Sequence, residues 1–108
     1  EEMKLKKNKK IVCADGFAMS VQADEGAYCS PRNDVGPYNE AEIGFPTEEE
    51  VLLMPFVEDH SRPTDTVYAY VPTNVITLVI AKHGGIVSGE LPDGIPYLRA
   101  QASCLRQG

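Results

Sequence analysis

The sequence contains no apolar run that approaches the ~20 residues needed to span a bilayer. It also lacks the features of a secretory signal, because the early lysines precede only Ile11–Cys13 before the polar Asp15-Gly16 pair. We therefore expect a cytoplasmic protein without a membrane partner.

Cysteine and histidine are scarce. The three cysteines, Cys13, Cys29 and Cys104, are widely separated and favour reduced thiols over a disulfide framework. They form no Cys-x-x-Cys spacing, and His60 and His83 lie far apart in unlike contexts. The sequence therefore predicts no metal site.

Recognisable catalytic motifs are also missing. Gly84, Gly85 and Gly89 lack both the spacing and the preceding strand of a phosphate-binding glycine loop. Cys29, His60 and a nearby aspartate could be drawn as a nucleophile set, but their spacing gives no support for it. We expect no catalytic residue, no cofactor and no enzymatic activity.

Basic charge is limited, and the net charge of -6 argues against direct binding of duplex nucleic acid. The lysines concentrate near the N-terminus, where they indicate either a solvated tail or a phosphate-binding arm. We expect a flexible basic tail at residues 1–10, a single domain at 11–97 and a C-terminal tail at 98–108. Residues 40–58 are acidic.

The first strands are predicted from Asp15-Gly16, a short-range hairpin signal. In the arm that follows, alternate apolar residues face the core: Phe17, Met19, Val21 and Ala23. Ser20 and Gln22 then lie on the opposite face. Gln22 is a candidate ligand contact, and an ordinary solvated strand position is the alternative.

Two helices are predicted. Thr47 and Glu50 form a capping box, which indicates a helix that Pro55 ends early. A second helix ends at Gly84-Gly85 and places His83 in its last turn, where we expect it at the surface.

The strand at residues 66–71 directs Tyr68 and Tyr70 away from the core. The element order predicts an α+β fold, with a mainly antiparallel sheet of four or five strands and two helices packed on one face. Two tyrosines on the open face either bind a planar ligand or pack against a second copy. We favour a homo-oligomer.

The long loop at residues 24–39 concentrates the recognition chemistry. Arg32 lies in a proline-braced turn beside Ser30 and Asn33, where a guanidinium suits a phosphate or carboxylate. Tyr28 and Tyr38 could stack a ring at the two ends of the loop. Pairing of Arg32 with Asp34 or with a glutamate of the first predicted helix is the alternative.

Five segments together resemble small proteins encoded in bacteriophage and prophage genomes. They are ADGFAMSVQA (Ala14–Ala23), YCSPRNDVGPY (Tyr28–Tyr38), EIGFP (Glu42–Pro46), PTDTVYAYVP (Pro63–Pro72) and KHGG (Lys82–Gly85). The likeness covers roughly residues 11–91 and carries over no catalytic residue.

The resemblance implies an anti-defence protein in the host cell cytosol, which sequesters a phosphorylated immune signal such as a cyclic nucleotide or cyclic ADP-ribose without chemistry. The alternative is an acidic inhibitor that masks a host defence protein, such as a CRISPR effector. The predicted ligand contacts are Gln22, Tyr28, Ser30, Arg32, Asn33, Tyr38, Tyr68 and Tyr70.

Overall fold

A computed structural model describes residues 7–101 of the chain. Five antiparallel strands form one sheet in the order β4-β3-β2-β1-β5. The strands are β1 (Ile11–Cys13), β2 (Ala18–Gln22), β3 (Glu40–Gly44), β4 (Val67–Pro72) and β5 (Ile86–Ser88). The predicted tails, 1–10 and 98–108, and the third cysteine lie wholly or partly outside the described residues.

The β1–β2 hairpin forms as predicted. The backbone N–H of Cys13 donates to the carbonyl of Phe17 at 2.7 Å, which closes the turn around Asp15-Gly16. Along the second arm, Phe17, Met19 and Val21 are buried. The period-two pattern therefore placed the correct face of this arm in the core.

One α-helix, α1 (Thr73–Lys82), occurs within residues 7–101. It buries Ile76, Val79 and Ile80 against the sheet residues of the main core. The N–H of Gly85 donates to the carbonyl of Ile80 at 2.9 Å, as expected for a glycine that ends a helix. No helix in the described part of the chain has the length and apolar character to cross a membrane.

The prediction of a first helix after Thr47 is wrong. This segment contains turns and a short 3-10 helix (Met54–Phe56), so the fold is α+β with one α-helix packed on the sheet. The Thr47 hydroxyl accepts from the N–H of Ala18 at 3.1 Å, and the Glu50 carboxylate bonds elsewhere. Both capping residues are therefore engaged by distant parts of the chain, and Pro55 removes a further backbone donor.

A β-bulge in β4 changes which tyrosine faces outward. Ala41 of β3 lies opposite Val71, whereas Ile43 lies opposite Tyr68, so β4 has one additional residue between these pairs. Tyr70, within the bulge, has a left-handed φ of 54°. Tyr68 is consequently fully buried, and the prediction that both tyrosines face away from the core is wrong for Tyr68.

Candidate functional site

The long loop has a small core of its own, formed by the buried residues Ala27, Cys29 and Tyr38. The Tyr38 hydroxyl donates to the backbone carbonyl of Asn33 at 2.7 Å. The Asn33 side-chain oxygen accepts from two backbone N–H groups that follow it, each at 2.9 Å. Two of the predicted ligand contacts, Tyr38 and Asn33, therefore hold the loop in shape, and the Tyr38 ring has no open stacking face.

Cys29 and Ser30 attach the loop to its surroundings. The Cys29 thiol donates to the carbonyl of Asp24 at 3.2 Å, and burial raises the pKa of this thiol. Ser30 forms an antiparallel bridge with Glu40, in which the Ser30 N–H donates to the Glu40 carbonyl at 3.1 Å. A buried thiol with a raised pKa is a poor nucleophile.

Three predicted residues meet on the outside of the loop, and we call Tyr28, Arg32 and Tyr70 the loop surface. The guanidinium carbon of Arg32 lies 5.9 Å from the centre of the Tyr28 ring. The Tyr28 and Tyr70 rings lie 5.9 Å apart at 38°. The backbone N–H of Tyr70 also donates to the carbonyl of Tyr28 at 3.0 Å, so the bulge in β4 positions both rings.

The loop surface is accessible and positively charged. Tyr28 and Tyr70 remain 42% and 41% exposed. Arg32 is exposed and has no ion pair or hydrogen bond to its side chain within residues 7–101. Among residues 7–101, Arg32 forms no ion pair with Asp34 or with a glutamate, which were the alternatives drawn from the sequence. The guanidinium retains its hydrogen-bond donors for an external anion.

The remaining predicted contacts have internal partners. The Gln22 side-chain amide accepts from the N–H of Asn8 at 2.9 Å and donates to the Asn8 carbonyl at 2.8 Å. The Tyr68 hydroxyl donates to the carbonyl of Pro63 in the interior. Both residues therefore stabilise the fold.

A second polar centre, which the sequence did not predict, lies beneath the turn between β1 and β2. We call Asp15, Glu50, Lys82 and His83 the His83 cluster; Glu50 and His83 are buried, whereas Asp15 and Lys82 are partly exposed. His83 Nδ1 lies 2.6 Å from a carboxylate oxygen of Asp15, and Nε2 lies 2.6 Å from one of Glu50. Lys82 donates to the other Glu50 oxygen at 2.8 Å. His83 is 5% exposed and Glu50 is 2% exposed, so the prediction of a surface His83 is wrong.

The electrostatics of this cluster favour the charged forms of His83, Glu50 and Asp15. Burial alone would lower the pKa of His83, but hydrogen bonds and charge attraction from Glu50 and Asp15 raise it. Burial opposes ionisation of Glu50, yet its hydrogen bonds with Lys82, the Leu52 backbone and His83 lower its pKa. The His83 ring also stacks on Phe17, with centroids 4.0 Å apart.

This geometry suits structure rather than proton transfer. Both ring nitrogens of His83 are occupied by carboxylates, so an imidazolium here has no lone pair for a substrate. No local spacing in the sequence reveals the cluster, because Glu50 and His83 are 33 residues apart. The local pattern around Glu50 predicted a helix cap, and the one around His83 predicted a surface histidine in the last turn of a helix.

No group of three or more histidine, cysteine, aspartate or glutamate residues among the described residues is placed to hold a metal ion. No family model matches the chain, and comparisons with curated proteins and with solved structures give no match.

Proposed function

We propose that this protein binds a small phosphorylated molecule at the loop surface and sequesters it without chemical change. The carrying observation is the exposed, unpaired guanidinium of Arg32, 5.9 Å from the centre of the Tyr28 ring. A guanidinium bonds phosphate through several donors at once. The adjoining Tyr28 and Tyr70 rings offer flat faces to a nucleobase.

The resemblance to phage proteins gives this binding its setting. The ligand would be an immune signal of the cyclic-nucleotide or cyclic ADP-ribose class, and the protein would act in the cytosol of the infected host. A homo-oligomer belongs to this proposal, because the two exposed tyrosines could also contact a second copy.

The direct test is isothermal titration with a panel of linear and cyclic nucleotides and cyclic ADP-ribose. Arg32→Ala should weaken binding by about tenfold or more, since a charge-assisted hydrogen bond contributes roughly 1.5–3 kcal/mol. Arg62→Ala is the matched control, because Arg62 is also exposed but pairs with Asp65. Equal affinity of the Arg32→Ala variant and the wild type would overturn the proposal.

Two further measurements complete the test. The ligand recovered after heat denaturation should be chemically intact by mass spectrometry, whereas an altered ligand would indicate an enzyme. Light scattering gives the oligomeric state, and Tyr28→Ala can be compared with Tyr97→Ala, since Tyr97 is similarly exposed at 39%.

An acidic inhibitor is the second candidate function. It is favoured by the exposed carboxylates of Glu48, Glu49, Glu58 and Asp59, which lie in the irregular segment between β3 and β4. Under this alternative, no nucleotide would bind, and a host defence protein would bind in a salt-dependent manner. Reversing Glu48 and Glu49 to lysine should then abolish that complex.

A further inference from the structure

A groove of about 400 Å³ opens on the sheet face directed away from the main core. Its floor is formed by Ser20 of β2, Gly44 of β3 and Val67 of β4. Gly44 lies between the other two, because it pairs with Ser20 on one side and with Val67 on the other. This volume falls within the range of small-molecule pockets. Lys7, Asn8 and Lys10 line the groove beside β2, and Phe45 lines it after β3.

The Gln22 side chain holds the segment before β1, which forms one wall of the groove, against β2. The Gln22 amide makes hydrogen bonds of 2.9 and 2.8 Å to the backbone of Asn8, and the Asn8 amide donates to the Val21 carbonyl at 3.4 Å. These bonds hold the lysine-bearing segment beside the floor. Gly44 keeps the floor open, because a Cβ placed there would already contact Ser20 at 3.6 Å and Val67 at 3.8 Å.

The lining combines two lysines and one carboxylate, Glu42, with an apolar surface. Lys10 is exposed and forms no ion pair with any residue in 7–101. Lys7 forms an exposed ion pair with Asp24, with 3.4 Å between Nζ and the carboxylate oxygen. The Ser20 hydroxyl accepts from Gln22 at 2.8 Å, so its own proton can be donated. Phe45 and Val67 supply the apolar part.

Phe45, at one side of the groove, has a strained backbone. Its φ of 49° lies in the left-handed region, which costs a non-glycine residue free energy, and its ring is nevertheless exposed. Backbone strain of this kind is concentrated at ligand sites. Tyr70 of the loop surface has the same combination of a left-handed φ and an exposed ring.

We propose that the groove is a second binding site, which takes a small organic anion with a flat apolar body. The anionic group would contact Lys7, Lys10 and the Ser20 hydroxyl, and the body would lie over Gly44 against Phe45 and Val67. This site is independent of the proposed function, because it shares no side chain with the loop surface. Glu42 is part of the groove lining, and its carboxylate accepts from the backbone N–H of Tyr28 at 3.0 Å.

The test uses 8-anilinonaphthalene-1-sulfonate as the anionic probe and N-phenyl-1-naphthylamine as its uncharged counterpart. Binding is followed by fluorescence titration and by backbone amide chemical shifts. The sulfonate should shift the amides of Ser20, Gly44 and Val67 while leaving those of Leu78 and Val87, which are exposed elsewhere, unchanged. Lys10→Glu should weaken sulfonate binding about fivefold and leave the uncharged probe within about twofold.

Lys9→Glu is the matched control, since Lys9 is an exposed neighbour that does not line the groove. It should leave sulfonate affinity within about twofold. Gly44→Val should weaken both probes by about tenfold or more by filling the floor, and Gly44→Ala gives a smaller change if valine disturbs the sheet. Equal losses in the two lysine variants, or probe shifts confined to other surfaces, would overturn the proposal. Nucleotide binding by the Arg32→Ala variant tests the loop surface alone, so its result does not bear on the groove.

Discussion

His83 and Glu50 are joined inside the protein by a 2.6 Å contact between Nε2 and a carboxylate oxygen, although 33 residues separate them in the chain. Asp15 completes the arrangement on the other ring nitrogen, also at 2.6 Å. The cluster therefore ties the β1–β2 turn, the irregular segment after β3 and the end of α1 to one another. Its consequences for stability can be measured.

The first prediction concerns pH. The pKa of His83 is raised in the folded protein, so the folded state binds this proton more tightly than the unfolded chain does. The resulting stabilisation is fully present below the unfolded pKa of about 6.5, and it is lost as pH rises through the folded pKa. The free energy of unfolding in urea should therefore decrease as pH increases across that interval.

A direct check follows the His83 ring by NMR, where the titration midpoint should lie above about 6.5. His60→Gln removes the other histidine in the sequence and leaves a single ring signal to assign. His83→Gln should flatten the pH dependence of stability. A midpoint below the ordinary histidine value would contradict the assigned charge state.

The second prediction compares removal of the Glu50 carboxylate with removal of the Lys82 ammonium group that contacts it. Glu50→Gln leaves a buried imidazolium without one of its carboxylates, and breaking a buried pair in this way costs about 3 kcal/mol. Lys82→Met should cost less than about 1 kcal/mol, because the Lys82 side chain is 46% exposed. Urea denaturation measures both, and equal losses would show that the Lys82–Glu50 pair accounts for the whole effect of Glu50→Gln, against this prediction.

The third prediction uses the left-handed φ of 54° at Tyr70. Tyr70→Gly should be more stable than Tyr70→Ala by about 1 kcal/mol, because glycine adopts this conformation without a Cβ penalty. The same two substitutions at Tyr28, whose φ is not positive, should give the reverse order. Finding alanine favoured at both positions would contradict the described backbone of the bulge.

The fourth prediction separates backbone conformation from close contact at two glycines with positive φ. A Cβ at Gly89 would lie 2.4 Å from the Cα of Ile11, whereas one at Gly16 would meet nothing within 4 Å. Gly16→Ala should cost about 1 kcal/mol from its φ alone, and Gly89→Ala should cost several kcal/mol. Thermal unfolding of the two variants gives the comparison, and similar melting temperatures would argue against close packing of the Gly89 turn on β1.

Local patterns predicted the parts of the fold that depend on neighbouring residues. The Asp15-Gly16 turn, the alternating arm after it and the helix that ends at Gly84-Gly85 all formed as expected. Each is determined by contacts within one turn or one strand pair. Arg32 likewise emerged as an exposed cation beside a ring, because its loop is built largely from its own residues.

The errors arose where distant contacts override local preference. Thr47 and Glu50 form a strong capping box in sequence, yet one bonds to β2 and the other to His83. The bulge in β4 depends on its pairing with β3, so strict alternation placed Tyr68 on the wrong face. Information of this kind resides in the tertiary structure, and a single sequence does not display it.

The inserted amino acid in β4 also determines how the outer side of the sheet is divided. If only one residue separated Tyr68 from Val71, the two strands would pair in step, and a tyrosine at that position would project beside Glu42 over the groove. One amino acid thus separates an arginine-bearing aromatic area from a lysine-bearing cleft. A variant lacking it would unite them in a single recognition area.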